Sequence, residues 1–71
     1  MYKIAYETFN DYVTFFYKQD GTWTNKRSEA YVFTDWLECD CKLSEINATR
    51  PKNSQAFTLD KRHSSYSNVV F

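Results

Sequence analysis

Glycine is nearly absent from this sequence, which has only Gly21 among its 71 residues. Loops that cradle phosphate groups need several glycines, so a nucleotide site of the usual glycine-rich form is excluded. The single glycine stands in Asp20-Gly21, between two aromatic runs. This pair predicts a hairpin turn, because both residues can take positive φ at low cost.

Histidine and cysteine are scarce as well: the chain has only His63, Cys39 and Cys41. Residues two apart on a helix point about 200° apart, so the two cysteines converge on neither a disulfide nor a metal. A structural zinc site usually needs four ligands. His63 lies in a basic loop with no triad signature around it. We therefore predict no catalytic residue, no metal and no cofactor in a protein that is not an enzyme, with Cys39 in the core and Cys41 exposed.

Net charge and long apolar runs are also missing. No continuous apolar segment suits a signal peptide or a membrane span, which predicts a cytoplasmic protein, without a membrane partner. Nine basic and nine acidic residues cancel, whereas a generic nucleic-acid binder shows a basic footprint. The charge is nevertheless uneven, because residues 35–46 hold four carboxylates and one lysine, and residues 47–71 hold four lysine or arginine residues and one aspartate.

Aromatic residues, in contrast, make up 20% of the chain. The run Tyr12–Tyr17 places large or β-branched side chains on both faces of a strand. A sheet in a small domain normally has one wet face. One helix covers only one face of this strand, so the second face needs the apolar tail Val69–Phe71, a second copy of the chain, or a partner protein.

Period-two alternation predicts the strands of the sheet. The first is a half-buried strand whose apolar side chains are Tyr2, Ile4 and Tyr6, followed by a turn at Asn10-Asp11. The other predicted strands are Tyr12–Tyr17, a segment through Trp23, and Gln55–Lys61.

A helix is predicted from Asp35, capped by Thr34, to about Asn47–Thr49. Its apolar stripe contains Trp36, Cys39, Leu43 and Ile46, widened by Leu37, and Glu38 and Lys42 form a favourable pair on the opposite face. Residues 30–33 fit either a short strand or the start of a longer helix. The elements together predict one α+β domain over residues 1–71: a three- to four-stranded antiparallel meander with one amphipathic helix packed on one face.

Two binding functions fit this composition. Interface hot spots are enriched in tyrosine and tryptophan, and an acidic helix face can dock on a basic groove. The predicted protein-binding residues are Tyr12, Tyr17, Trp23, Tyr31, Glu38 and Glu45. The alternative is a small nucleic-acid-binding module in which basic loops converge on a phosphate backbone, through Lys26, Arg27, Arg50, Lys52, Lys61 and Arg62.

The order Trp23-Thr24-Asn25, then Ala30-x-x-Phe33-Thr34, then an acidic amphipathic helix, resembles a layout found in very small phage-encoded accessory proteins. These include some anti-CRISPR inhibitors. The resemblance covers about residues 12–47. It implies a stoichiometric inhibitor with no active site, which binds a host nuclease or surveillance complex in the host cytoplasm. A homodimer that buries the open sheet face is the other predicted assembly.

Overall fold

The protein forms a four-stranded antiparallel sheet with one α-helix packed on it. The computed structural model describes residues 1–8, 10, 12–61 and 71. In chain order the strands and helix are β1 (Tyr2–Glu7), β2 (Thr14–Tyr17), β3 (Trp23–Thr24), α1 (Trp36–Asn47) and β4 (Phe57–Asp60). Short 3₁₀ turns lie at Arg27–Glu29 and Lys52–Ser54. The strand order is β3-β2-β1-β4, which confirms the α+β prediction and the meander of the first three strands.

The β2–β3 turn is a hairpin, but it is not the turn that the sequence predicted. Only Gly21 has positive φ in this turn, at 88°. The Lys18 N–H donates to the Thr22 carbonyl at 2.9 Å, and the Gly21 N–H donates to the Lys18 carbonyl at 3.0 Å. These bonds enclose a three-residue loop, the type in which one residue in the left-handed region follows a type I turn. The expectation that Asp20 also takes positive φ was wrong.

Strand β2 begins at Thr14, two residues later than predicted. Tyr12 has a φ of 54°, and this left-handed backbone cannot continue an extended strand. Thr8 fixes the base of the loop between β1 and β2. The Thr8 N–H donates to the Val13 carbonyl at 2.9 Å, and the Thr8 Oγ1 accepts from the Val13 N–H at 3.1 Å. Asn10 lies in the turn, as predicted, while Asp11 is outside the described residues.

Residues 31–33 connect the ends of two strands, which explains why their pattern was ambiguous. Phe33 forms an antiparallel bridge with Tyr2, with hydrogen bonds of 2.7 and 2.8 Å. The Tyr31 N–H donates to the Tyr17 carbonyl at 2.9 Å. The segment is therefore extended rather than helical. Helix α1 follows, with Asp35 as its N-cap instead of Thr34, and the Asp35 carboxylate accepts from the Leu37 N–H at 3.2 Å.

The first sheet face is the one that α1 covers. Its buried centre consists of Ile4, Phe33, Cys39 and Ala56, ringed by half-buried aromatic and aliphatic side chains. Leu43 and Ile46 pack there as predicted. Leu37 does not widen the stripe: its side chain is 65% exposed, and that of Trp36 is 50% exposed. The helical turn explains Leu37, because it lies about 200° from the fully buried Cys39.

The second sheet face is buried too. Ala5, Phe16 and Leu59 form its core, and Ala30, Phe57 and Phe71 pack against it. The prediction that β1 is half-buried was therefore wrong, because Ala5 is fully buried and Lys3 is only 7% exposed. Strand β1 contributes to the cores of both faces, because Ile4 belongs to the first core and Ala5 to the second. Of the three covers expected for this face, Phe71 of the chain's own tail packs against it; Val69 and Val70 lie outside the described residues.

Candidate functional site

A groove runs between α1 and the end of β2, on the first sheet face. Its volume is about 200 Å³, and its lining residues are Tyr17, Gln19, Tyr31, Phe33, Glu38 and Lys42. We call these six residues the helix groove. Three of the predicted protein-binding residues, Tyr17, Tyr31 and Glu38, meet there. They come from a strand, a connecting segment and a helix, so only the folded chain places them together.

The aromatic rings of the helix groove pack on one another. The centroids of Tyr31 and Phe33 are 4.7 Å apart in an edge-to-face arrangement, and those of Tyr17 and Phe33 are 6.3 Å apart and nearly parallel. Phe33 is only 3% exposed and forms the base of this cluster. Ring pairs in these geometries contribute about 0.5–1.5 kcal/mol beyond their buried area. The aromatic part of the groove is therefore formed before any ligand arrives.

The charged side chains of the helix groove are not paired as predicted. The Lys42 ammonium lies 3.5 Å from the Glu45 carboxylate, three residues further along the helix. The ion pairs found among the described residues are this one and Lys26–Glu29, at 3.8 Å. Glu38 is exposed and takes part in neither. The helix groove therefore has a carboxylate at its rim whose charge is not neutralised by the lysine one turn away.

A second, larger groove adjoins the first. It has a volume of about 560 Å³, is open to solvent, and is lined by Lys18, Gln19, Asp20, Glu29, Ala30, Tyr31 and Val32. Gln19 and Tyr31 belong to both grooves. The Asp20 carboxylate accepts from the Thr22 hydroxyl at 2.6 Å and the Thr22 N–H at 3.0 Å, and these bonds lower the pKa of Asp20. Asp20 therefore holds the hairpin loop in the shape that forms one wall of this groove.

The outward side of α1 combines apolar side chains with carboxylates. Trp36 and Leu37 occupy its first turn, and the exposed acidic residues at its N-cap and along the helix are Asp35, Glu38, Asp40 and Glu45. We call these six residues the outer helix surface. The Trp36 ring is held against Tyr2, with centroids 5.2 Å apart. Sequence reasoning assigned Trp36 and Leu37 to the core; the 200° offset between Leu37 and Cys39 was the signal that indicated otherwise for Leu37.

The remaining predicted protein-binding residues lie elsewhere. Tyr12 is 79% exposed, but it precedes β2, whereas the helix groove lies where β2 ends. Trp23 is half-buried, and its ring packs edge-on against Tyr6 and Tyr17, at 4.7 and 5.7 Å. Glu45 is on the outer helix surface, paired with Lys42. Gln19, Phe33 and Lys42 line the helix groove and were missed, because nothing local in the sequence connects them.

The basic residues proposed for nucleic-acid contact are spread over the molecule. Arg50 lies on the first sheet face, with its guanidinium carbon 3.9 Å from the Tyr6 ring centroid and its Nη2 2.6 Å from the Ser54 hydroxyl. Arg27 is on the opposite side, where its carbonyl accepts from Lys3 Nζ at 3.3 Å. Lys61 lies beside Met1, to whose carbonyl its N–H donates at 3.2 Å. Lys26 is paired with Glu29, Lys52 is exposed in the second 3₁₀ turn, and Arg62 lies outside the described residues.

The two cysteines differ in their environment within the part of the chain that the structure describes. Cys39 is fully buried beside Thr58, and burial raises the pKa of its thiol, whereas Cys41 is exposed, as predicted for both. Within residues 1–8, 10, 12–61 and 71, no group of three His, Cys, Asp or Glu side chains is arranged to hold a metal ion. No helix in these ranges has the length and apolar character needed to cross a bilayer.

Comparisons with protein-family models, with curated proteins and with solved structures found no significant match.

Proposed function

We propose that this protein acts by binding another protein, and that the outer helix surface is its contact region. The observation that carries the proposal is the exposure of Leu37 and Trp36 in the first turn of α1. Leu37 points away from the core, so its exposure contributes nothing to the folded chain's own stability. Exposed large apolar side chains beside one another, rimmed by polar groups, are typical of protein interaction sites.

The charges around these two residues indicate the kind of partner. Asp35, Glu38 and Asp40 surround the apolar pair, and no lysine or arginine stands within the first turn of the helix. Complementary charge steers encounter and excludes partners of the wrong sign. A basic surface, such as the groove in which a protein holds nucleic acid, is therefore the surface that this face fits.

The predicted mode of action is inhibition without catalysis. A protein that occupies a basic groove competes with the nucleic acid that normally lies there. Together with the layout resemblance to phage-encoded inhibitors, this supports a stoichiometric inhibitor of a host nuclease or surveillance complex in the cytoplasm of the host. Trp36 and Leu37 would supply most of the contact energy, since a few desolvated anchors dominate most interfaces.

The test is the binding of target DNA by a panel of purified CRISPR effector complexes, measured by gel shift with and without an equimolar amount of this protein. We expect loss of DNA binding for one or more complexes. Leu37→Ser should weaken that inhibition by about thirtyfold, as for a hot-spot residue, and leave the fold intact because Leu37 is exposed.

A matched pair of charge reversals distinguishes an effect of the proposed contact region on inhibition from an effect of the protein's net charge. Glu38→Lys, on the outer helix surface, should weaken inhibition, whereas Glu7→Lys, on strand β1, should not. Both variants change the net charge of the protein by the same amount. A panel in which no complex loses DNA binding, or in which Leu37→Ser inhibits as well as the original protein, would contradict the proposal.

A further inference from the structure

We infer that the helix groove is a receptor for one cationic side chain, and that a guanidinium group, as in arginine, is the ligand it fits. This deepens the proposed function, on which its biological role rests, by assigning a specific contact beside the outer helix surface. Glu38 belongs to both regions, so a partner seated on the helix has direct access to the groove.

The size of the groove sets the class of ligand. A volume of about 200 Å³ is below the roughly 300 Å³ at which pockets for drug-sized molecules begin. It suits one large side chain rather than a cofactor or a folded segment. Helix α1 contributes Glu38 and Lys42 to the lining of the groove, so the exposed Glu38 carboxylate lies at its rim.

The rings of the groove select for positive charge. Tyr17 and Tyr31 are half-buried beside the buried ring of Phe33, with centroids 6.3 and 4.7 Å from the Phe33 centroid, so a ligand reaches the exposed parts of the two tyrosine rings. Aromatic faces attract cations, and the attraction grows when the cation is partly desolvated. The planar guanidinium group can also stack on a ring, which an ammonium cannot do. The same chain already uses this contact once, between Arg50 and the rings of Tyr6 and Trp23.

The charged wall of the groove points to the same ligand. Lys42 alone would repel a cation, but its ammonium lies 3.5 Å from Glu45. Glu38, Lys42 and Glu45 together therefore leave one carboxylate in excess, and Glu38 is the acidic residue that lines the groove. A carboxylate can accept two parallel N–H bonds from a guanidinium group. Gln19, on the opposite wall, adds a further hydrogen-bonding side chain.

The experiment uses the whole chain and small probes, so that it does not depend on any partner. Amide chemical shifts of the ¹⁵N-labelled protein are followed while N-acetyl-arginine amide is added, and again with N-acetyl-citrulline amide, which has nearly the same shape but no charge. We expect saturable shifts at Tyr31, Phe33 and Glu38 with the arginine probe and much smaller shifts with the citrulline probe.

Two glutamate variants provide the matched control. Glu38→Gln should weaken binding of the arginine probe by about fivefold, the upper range for an exposed ion pair. Glu7→Gln, on strand β1, removes a carboxylate that neither lines the groove nor belongs to the outer helix surface, and it should leave binding unchanged. Tyr31→Leu should also weaken binding, and its amide spectrum reports whether the fold is kept.

Equal shifts with both probes, or equal affinities of Glu38→Gln and Glu7→Gln, would overturn the inference. So would shifts that map outside the helix groove. Because no nuclease is present in this experiment, its failure leaves the inhibition assay unaffected, and a negative inhibition assay leaves this binding measurement unaffected.

Discussion

The two faces of the sheet are covered by different parts of the chain. The first face is covered by α1 and by aromatic rings, and both the helix groove and the outer helix surface belong to that side. The second face is covered by Ala30 and Phe71 over a small aliphatic and aromatic core, with one buried lysine. The second face therefore serves mainly to complete the fold, while the first face combines a core with the two surfaces for which we propose a binding role.

The centre of each face offers the strongest test of that comparison. Ile4 on the first face and Leu59 on the second are both fully buried. Replacing either by alanine removes buried methyl groups and leaves a cavity, at a cost of about 2–5 kcal/mol. We expect Ile4→Ala and Leu59→Ala to lower the free energy of unfolding by similar amounts, measured by urea denaturation. A much smaller loss for Leu59→Ala would show that the second face is not a true core.

Much of this fold could be predicted from local patterns. The positions of β1 and β4, the hairpin at Asp20-Gly21, and the stripe of Cys39, Leu43 and Ile46 each depend on neighbours in sequence. The structure has these strands, a hairpin at this position and this stripe, although the type of turn and the burial of β1 differ from the prediction. The covering of the second face could not be read in this way, because the contact of Lys3 with Phe71 joins residues 68 positions apart. The strand propensity of a residue indicates that its side chain fits a half-buried surface. It does not indicate which distant segment covers that side chain.

The candidate site was predicted less well, for a related reason. Tyr17, Tyr31 and Glu38 were selected because of their residue types, but their meeting in one groove depends on how residues 31–33 insert between the ends of β1 and β2. Leu37 was misassigned because it lies at the edge of the apolar stripe of the helix. The sequence alone does not show how wide a stripe the sheet can bury.

A smaller loss of stability is expected for a change at Phe71, which covers part of the second face. Phe71 is half-buried against Ala5, Phe16 and Leu59, so Phe71→Ala should cost about 1 kcal/mol of the free energy of unfolding, roughly half the value of one fully buried large apolar side chain. It should also expose apolar surface and make the protein self-associate as its concentration rises, which sedimentation equilibrium measures. The original chain should remain monomeric over the same range.

The opposite result would change the comparison of the two faces. If the original chain dimerises and Phe71→Ala does not alter the association, a second copy rather than the tail residue covers apolar surface. The helix groove would be unaffected by either outcome, because none of its lining residues belongs to the core of the second face.

The smallest expected effect concerns Lys3, the charged residue buried on the second face. Its Nζ donates to the Arg27 carbonyl at 3.3 Å and to the main-chain oxygen of Phe71 at 3.0 Å, and lies 4.3 Å from the Phe71 ring centroid. Desolvation by burial, assisted by the charge of Arg27, lowers the pKa of Lys3 from its ordinary value of 10.5. Below the lowered pKa the ammonium is charged in both the folded and the unfolded chain, so the cost of burying it is fully present.

As the pH rises through the lowered pKa towards 10.5, the folded chain loses this proton before the unfolded chain does, so Lys3 destabilises the fold less. The original protein should therefore gain stability relative to Lys3→Met between neutral pH and about pH 10, measured by parallel urea denaturation. The raised pKa of the Cys39 thiol acts in the opposite direction, but it is common to both proteins and cancels in their difference. The difference in free energy of unfolding between the two proteins could instead stay constant with pH, or change in favour of Lys3→Met. Either result would show that the ammonium is well solvated and that the second face is less closed than the first.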